Sequence, residues 1–135
     1  MDNAIPAREF VTDTMGLVLW LERRKFSPTA RAIYESAEAG TVTIHIPAIV
    51  LAEMLYLSEK RRISLTLETV AEYLNRFPHY QESPMNLAAT QSAAQITDIP
   101  ELHDRLIAGT ARQLGLTLIT NDPIIQASSF VTTIW

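Results

Sequence analysis

Apolar positions recur along this chain with two different periods, one helical and one alternating. A spacing of three to four residues is typical of amphipathic helices, and alternation is typical of strands. The helical period predicts helices over residues 14–25, 27–40, 47–61, 66–77, 86–96 and 102–114. Short apolar or alternating runs predict strands over residues 9–13, 41–46, 116–120 and 130–134. Residues 77–84 are predicted to form a loop or short strand.

Several of these predicted boundaries carry their own signals. Ser27 is a suitable N-cap, and Pro28 suits a first helical turn. Gly40 and Gly115 stand where two of the predicted helices end. Because strands alternate with helices, we expect a three-layer α/β/α sandwich with a central, mostly parallel sheet. No linker or repeat divides the chain, so we expect one domain over residues 1–135, with residues 1–8 as a loose lead-in.

The composition narrows the possible classes of protein. Hydrophobic residues make up 47% of the 135 residues and charged residues 19%, which excludes an intrinsically disordered chain. Since the chain has no cysteine, disulfides, thiolate zinc sites and cysteine nucleophiles are excluded. The longest apolar stretches, residues 15–21 and 46–52, are far shorter than a membrane span. We therefore expect a cytoplasmic protein without a membrane partner.

Four carboxylates fall at positions where the predicted topology places ligands. Asp13 ends the first predicted strand, and Asp122 lies two residues after the strand over 116–120. Glu53 lies beside the apolar stripe of its helix, and Asp104 is in the first turn of its helix. In parallel sheets, ligands bind beyond the carboxyl ends of the strands. Four carboxylates at one sheet edge repel each other unless a cation holds them, and Mg²⁺ or Mn²⁺ suits a site made only of oxygen ligands.

Each of these acidic residues also has a structural interpretation when it is taken alone. Asp13 can cap the helix that follows it, and Asp104 can complement a helix macrodipole. Asp122 can serve as a turn residue in Asn-Asp-Pro, and Glu53 can pair with an arginine. The functional interpretation therefore depends on the four occurring together.

The segments around these carboxylates resemble a PIN domain, and more narrowly the VapC-type toxin ribonucleases of bacterial toxin–antitoxin pairs. The resemblance covers residues 10–135, and its most specific parts are Asp104-Arg105-Leu106-Ile107-Ala108-Gly109-Thr110-Ala111 and Leu118-Ile119-Thr120-Asn121-Asp122. Thr12 departs from the family pattern, in which an apolar residue usually precedes the first aspartate.

This resemblance implies a PIN-like fold and a metal-dependent endoribonuclease that acts as a toxin. By position, Asp13, Glu53, Asp104 and Asp122 match the family's acidic quartet, which binds Mg²⁺ or Mn²⁺. Thr120 matches a hydroxyl residue that can orient water or a carboxylate. The implied partners are an RNA substrate, single-stranded or structured, a cognate antitoxin and a second copy of the chain in a homodimer.

The net charge of −4 does not contradict an RNA substrate. Without the quartet, the remaining acidic residues equal the 11 basic ones in number. Two basic clusters, residues 23–25 and 60–62, are open to two interpretations: helix-end complementation, or a rim that binds RNA backbone. For His103, a helix-start position in a polar loop is preferred to substrate contact.

An alternative to the enzyme is a non-catalytic PIN-like module whose acidic groove binds an arginine-rich partner. A phosphatase-like α/β domain is a weaker alternative, since Thr14 and Met15 follow Asp13 and no Asp-x-Asp pair is present there.

Overall fold

A computed structural model describes residues 8–135, and these form a five-stranded sheet with connecting helices. The strands, in chain order, are β1 Glu9–Thr12, β2 Thr43–Pro47, β3 Tyr80–Ser83, β4 Thr117–Ile119 and β5 Thr133–Ile134. The helices are α1 Thr14–Leu21, α2 Pro28–Glu38, α3 Ala48–Glu59, α4 Leu67–Arg76, α5 Leu87–Ala94, α6 Leu102–Leu114 and α7 Pro123–Gln126. The predicted lead-in lies outside the described residues, apart from Arg8.

The strand order is β3-β2-β1-β4-β5, and every pairing among the described strands is parallel. The chain advances from β1 to β3 in one direction, then returns past β1 to β4 and β5. Because parallel crossovers are right-handed, this reversal brings helices to both faces of the sheet. The predicted α/β/α sandwich is confirmed, and the sheet is wholly parallel.

The core lies on both sides of the central strands β1, β2 and β4. Val11, Ile44, Ile46 and Leu118 are all 0% exposed, which fits strands covered on two faces. Among the described residues no helix is long and apolar enough to cross a membrane.

Most predicted boundaries hold, and three need correction. Helix α1 ends at Leu21 rather than Lys25, and Arg23 after it adopts a left-handed backbone with φ of 55°. Helix α3 begins after Pro47, which is still paired with Ser83 in the sheet, and ends at Glu59 rather than residue 61. The last strand is two residues long, Thr133–Ile134, and not 130–134.

Two helices are tightly packed through a glycine. A Cβ on Gly109 of α6 would lie 2.6 Å from the backbone nitrogen of Ala93 in α5. Real side chains do not approach backbone this closely, so glycine is required for the two helices to meet. This packing fixes α6, which carries Asp104.

Candidate active site

The structure brings the four predicted carboxylates to one cleft at the carboxyl ends of β1 and β4. The cleft has a volume of about 460 Å³, and its lining includes Asp13, Glu53, Asp104 and Asp122. β1 and β4 are neighbours in the sheet, and the chain order reverses at β1. This is the topological switch point at which open α/β sheets bind ligands.

Asp13 is buried at the base of the cleft and is held by helix α1. Its side chain is the N-cap of α1, and its Oδ1 accepts a hydrogen bond of 2.7 Å from the Gly16 amide. A Cβ on Gly16 would lie 2.8 Å from this oxygen, so only glycine fits. Burial raises the pKa of Asp13 to about 6, against the lowering effect of hydrogen bonds from Thr120 and Gly16.

Asp104 is the second carboxyl group with a raised pKa. It lies in the first turn of α6, where its amide donates to Glu101 Oε1 at 2.9 Å. Partial burial and repulsion by the carboxylates of Glu101, Asp122 and Glu53 raise the pKa of Asp104 to about 6. This repulsion shows that negative charge is concentrated in the cleft.

Glu53 and Asp122 reach the cleft from the two sides of Asp13. Glu53, on α3, is partly exposed and accepts a hydrogen bond from the Thr14 hydroxyl. Asp122 is the N-cap of α7 and accepts from the amides of Ile124 at 2.8 Å and Ile125 at 3.3 Å. Neither residue contacts an arginine within the described part of the chain, so the arginine pairing considered for Glu53 does not occur there.

Thr120 lies between the Asp13 carboxylate and the turn that carries Asp122. It is fully buried, its hydroxyl accepts from the Asp122 amide at 3.1 Å, and the same hydroxyl lies close enough to Asp13 to lower the pKa of that carboxyl group. A hydroxyl has one proton to donate and can also accept, so both contacts are satisfied at once. Thr120 therefore fixes Asp13 relative to the turn that carries Asp122.

The capping functions considered for single residues coexist with the convergence of all four. Asp13 and Asp122 do cap helices, and each uses one oxygen, Oδ1, in doing so. Within residues 8–135, no three His, Asp or Glu side chains stand at the spacing that one bound ion requires. The donor set nevertheless fits a hard divalent cation, because it consists of carboxylates and a hydroxyl.

Three residues outside the predicted quartet also shape the site, and the sequence had favoured a structural role for each of them. Glu101 is the N-cap of α6 and is the first of the carboxylates whose charge raises the pKa of Asp104. His103 is half-exposed, with Nδ1 at 3.0 Å from Glu101 Oε2 and 4.0 Å from Glu53 Oε2. Tyr56 is 51% exposed and lines the cleft. The signal that the sequence offered is proximity, since Glu101 and His103 lie within three residues of Asp104.

Comparison with known proteins gives the family. The family model of the PIN domain matches residues 10–130, which is most of the chain. The chain belongs to the PIN-domain family. The resemblance to a PIN domain that was inferred from the sequence is thereby confirmed. No curated protein gives a significant match.

Solved structures support the PIN fold over almost the full chain. The first is VapBC2 from Rickettsia felis bound to a promoter DNA fragment, with 20% identity and a TM-score of 0.73. That match covers 94% of this chain and 98% of the other. FitAcB from Neisseria gonorrhoeae matches with 20% identity and a TM-score of 0.70, covering 93% and 96%. VapC20 of Mycobacterium tuberculosis, a Sarcin-Ricin loop cleaving toxin, matches with 15% identity and a TM-score of 0.64, covering 90% and 96%.

Proposed function

We propose that this PIN domain is a Mg²⁺- or Mn²⁺-dependent endoribonuclease and the toxin of a toxin–antitoxin pair. The observation that carries the proposal is the cleft in which Asp13, Glu53, Asp104 and Asp122 converge at the switch point of the sheet. The similarity in fold to VapC20, a Sarcin-Ricin loop cleaving toxin, is in agreement with it.

Asp13, Asp104 and Asp122 would hold the cation, and Glu53 would hold it or the attacking water. When bound, a divalent cation supplies electrostatic stabilisation of the charge that develops during phosphodiester cleavage and lowers the pKa of water. Thr120 keeps the buried Asp13 carboxylate oriented, and Thr14 does the same for Glu53. The raised pKa values of Asp13 and Asp104 identify the charge that such a cation would neutralise.

The test is cleavage of single-stranded RNA with added Mn²⁺ by the wild type, Asp13→Asn and Asp104→Asn. We expect each variant to lose activity by at least about 100-fold, because each removes a charged ligand. Glu72→Gln, which neutralises an exposed carboxylate on α4 away from the cleft, is the matched control and keeps full activity. Equal cleavage by all four proteins would rule the proposal out.

We also propose a cognate antitoxin that covers the acidic cleft, and a homodimer. The support for an antitoxin is that similar chains occur in structures of VapBC complexes, including one from Salmonella typhimurium bound to DNA. Co-expression with the product of a neighbouring gene tests the antitoxin, and light scattering of the purified chain tests the dimer. Loss of toxicity only when both genes are expressed supports the antitoxin. A monomeric mass would overturn the homodimer.

One observation favours a second candidate, a non-catalytic module that binds an arginine-rich partner. Among the described residues, no three acidic or histidine side chains lie close enough together to bind one metal ion. A guanidinium group needs only one carboxylate, so arginines can pair with these side chains in their present positions. Calorimetry separates the two candidates. Tight binding of an arginine-rich peptide with no heat of Mn²⁺ binding would favour the module.

A further inference from the structure

The two basic clusters are brought together by a single glutamate. Glu22 follows α1, and its Oε2 accepts hydrogen bonds of 2.7 Å from both the amide and the hydroxyl of Ser64. This contact ties the segment after α1 to the segment after α3. Residues Arg23, Arg24, Lys25, Lys60, Arg61 and Arg62 thus belong to one surface, which we call the basic end.

The backbone at the basic end is built to turn sharply at equivalent places. Arg23 and Arg61 both have a φ of 55°, although neither is glycine. In the described chain these are the only non-glycine residues with positive φ. The left-handed conformation ends each helix and carries the following basic residues on exposed turns. A left-handed residue followed by exposed basic residues therefore occurs after both α1 and α3.

The basic end holds a concentrated positive charge. It contains six of the 11 Lys and Arg residues of the chain, and all six are exposed. Among residues 8–135, Arg24 is the one member with a carboxylate within salt-bridge distance, Glu22 at 3.3 Å. This surface gains little stability from its internal ion pair, because exposed ion pairs are weak in water. Its charge is available to an anionic partner.

One face of α3 connects the acidic cleft to the basic end. Glu53, Tyr56 and Lys60 follow each other at spacings of three and four residues, so they lie on one side of the helix. The Lys60 ammonium lies 5.7 Å from the centre of the Tyr56 ring, and that ring lines the cleft. The rise from Glu53 to Lys60 along the helix axis is about 10 Å. A few nucleotides can span this distance.

We propose that the basic end binds the sugar–phosphate backbone of an RNA strand whose scissile phosphodiester lies in the acidic cleft, with Tyr56 as a stacking platform between them. This inference rests on the proposed ribonuclease function. A strand that enters an acidic cleft needs compensating phosphate contacts close by, and a positive groove with an aromatic side chain supplies them for single strands. An acidic peptide would use the charge but has no need of the exposed ring beside the cleft.

The test uses Lys60→Gln/Arg62→Gln and, as matched control, Arg76→Gln/Arg112→Gln. The control removes the same charge from the far ends of α4 and α6. Cleavage of a single-stranded 12-nucleotide RNA and of a dinucleotide with Mn²⁺ gives kcat and KM, and fluorescence anisotropy gives RNA affinity directly. Thermal melting confirms that each variant is folded, and Arg23→Gln/Lys25→Gln repeats the test from the other cluster.

We expect the basic-end variants to raise KM and the RNA dissociation constant for the longer RNA about 10-fold near 0.1 M salt. Their kcat and their dinucleotide cleavage stay unchanged. The dependence of log affinity on log salt becomes shallower by about 1.4, since two phosphate contacts are lost. KM values of the basic-end variants equal to those of the control would overturn the inference. Anisotropy with a labelled poly-glutamate peptide tests the acidic-peptide alternative, and basic-end variants that lose this peptide but still bind RNA would also overturn it. A wild type that binds RNA through the basic end but cleaves none with Mn²⁺ would instead refute the proposed function.

Discussion

The hydroxyl of Tyr34 on α2 hydrogen-bonds to the hydroxyl of Thr12, the residue that directly precedes Asp13. Thr12 in turn donates to the Asp13 carbonyl at 3.0 Å, so Tyr34 is the donor to Thr12. Both side chains are fully buried. The buried Thr12 hydroxyl is thus satisfied by two partners, the Asp13 carbonyl and the Tyr34 hydroxyl of α2.

The Thr12–Tyr34 pair predicts a non-additive mutant cycle. Thr12→Val leaves the Tyr34 hydroxyl buried without a partner and is expected to cost about 1–3 kcal/mol of unfolding free energy. Tyr34→Phe removes a single hydrogen bond and costs about 1 kcal/mol. The double variant replaces both groups with apolar ones and is expected to be more stable than the sum of the single effects predicts. Urea unfolding measures all four proteins, and strict additivity would show that the two hydroxyls are not coupled.

Gly16 is predicted to be irreplaceable because three side-chain atoms of this network surround it. A Cβ at this position would lie 2.8 Å from Asp13 Oδ1 and 2.9 Å from the Tyr34 hydroxyl. Gly16→Ala is therefore expected to cost about 1–3 kcal/mol and to displace the Asp13 carboxylate. Isothermal titration with Mn²⁺ is expected to show weaker binding.

Gly115→Ala is the matched control for this substitution. Gly115 has a φ of 70° and no atom within 4 Å of an added Cβ. The left-handed backbone makes alanine less stable there by about 1 kcal/mol, yet the cleft is untouched. Weakened Mn²⁺ binding in Gly115→Ala, or unchanged binding in Gly16→Ala, would contradict the assignment of Gly16 to the site.

Gly109→Ala is predicted to be more damaging to stability than either substitution. The added Cβ would lie 2.6–2.7 Å from the backbone and side chain of Ala93, so α5 and α6 must separate. We expect a loss of about 3 kcal/mol in unfolding free energy, measured with urea. Ala93→Gly removes one of the clashing atoms but not the backbone ones, and so gives partial rescue. Wild-type stability in Gly109→Ala would show that the two helices can move apart freely.

Local signals predicted the elements whose ends are fixed by their own residues. Ser27 does cap α2, and Gly115 does end α6 in a left-handed conformation. The end of α1 was placed wrongly because its cause is not local. The residues after Leu21 have ordinary helix propensity, and Glu22 is instead held by Ser64, 42 positions along the chain.

The same distinction applies to the site. The positions of Asp13 and Asp122 after parallel strands were sufficient to predict that they meet, because the sheet rule fixes where strand ends lie. The union of the two basic clusters and the Thr12–Tyr34 pair depend on how helices pack across many residues. No spacing in the sequence encodes such contacts, so they required the structure.

The raised pKa of Asp13 predicts a pH-dependent stability without divalent metal. In the folded chain the pKa is about 6, against an ordinary 3.8, so the folded state binds more protons between these values. The contribution of Asp13 to the free energy of unfolding is then fully present below pH 4, and it is lost as the pH rises through 6. The difference of about two pKa units corresponds to roughly 3 kcal/mol as an upper limit.

Asp13→Asn tests this directly, because asparagine keeps an oxygen for the Gly16 amide but carries no charge. In chelator, the variant is expected to match the wild type near pH 4 and to exceed it by about 2–3 kcal/mol at pH 7, measured by urea unfolding. Added Mn²⁺ is expected to stabilise the wild type at pH 7 and to leave the variant nearly unchanged, since binding to the folded state alone shifts the equilibrium. A constant difference between the two proteins from pH 4 to 7 would mean that Asp13 titrates normally and that its burial carries no electrostatic strain.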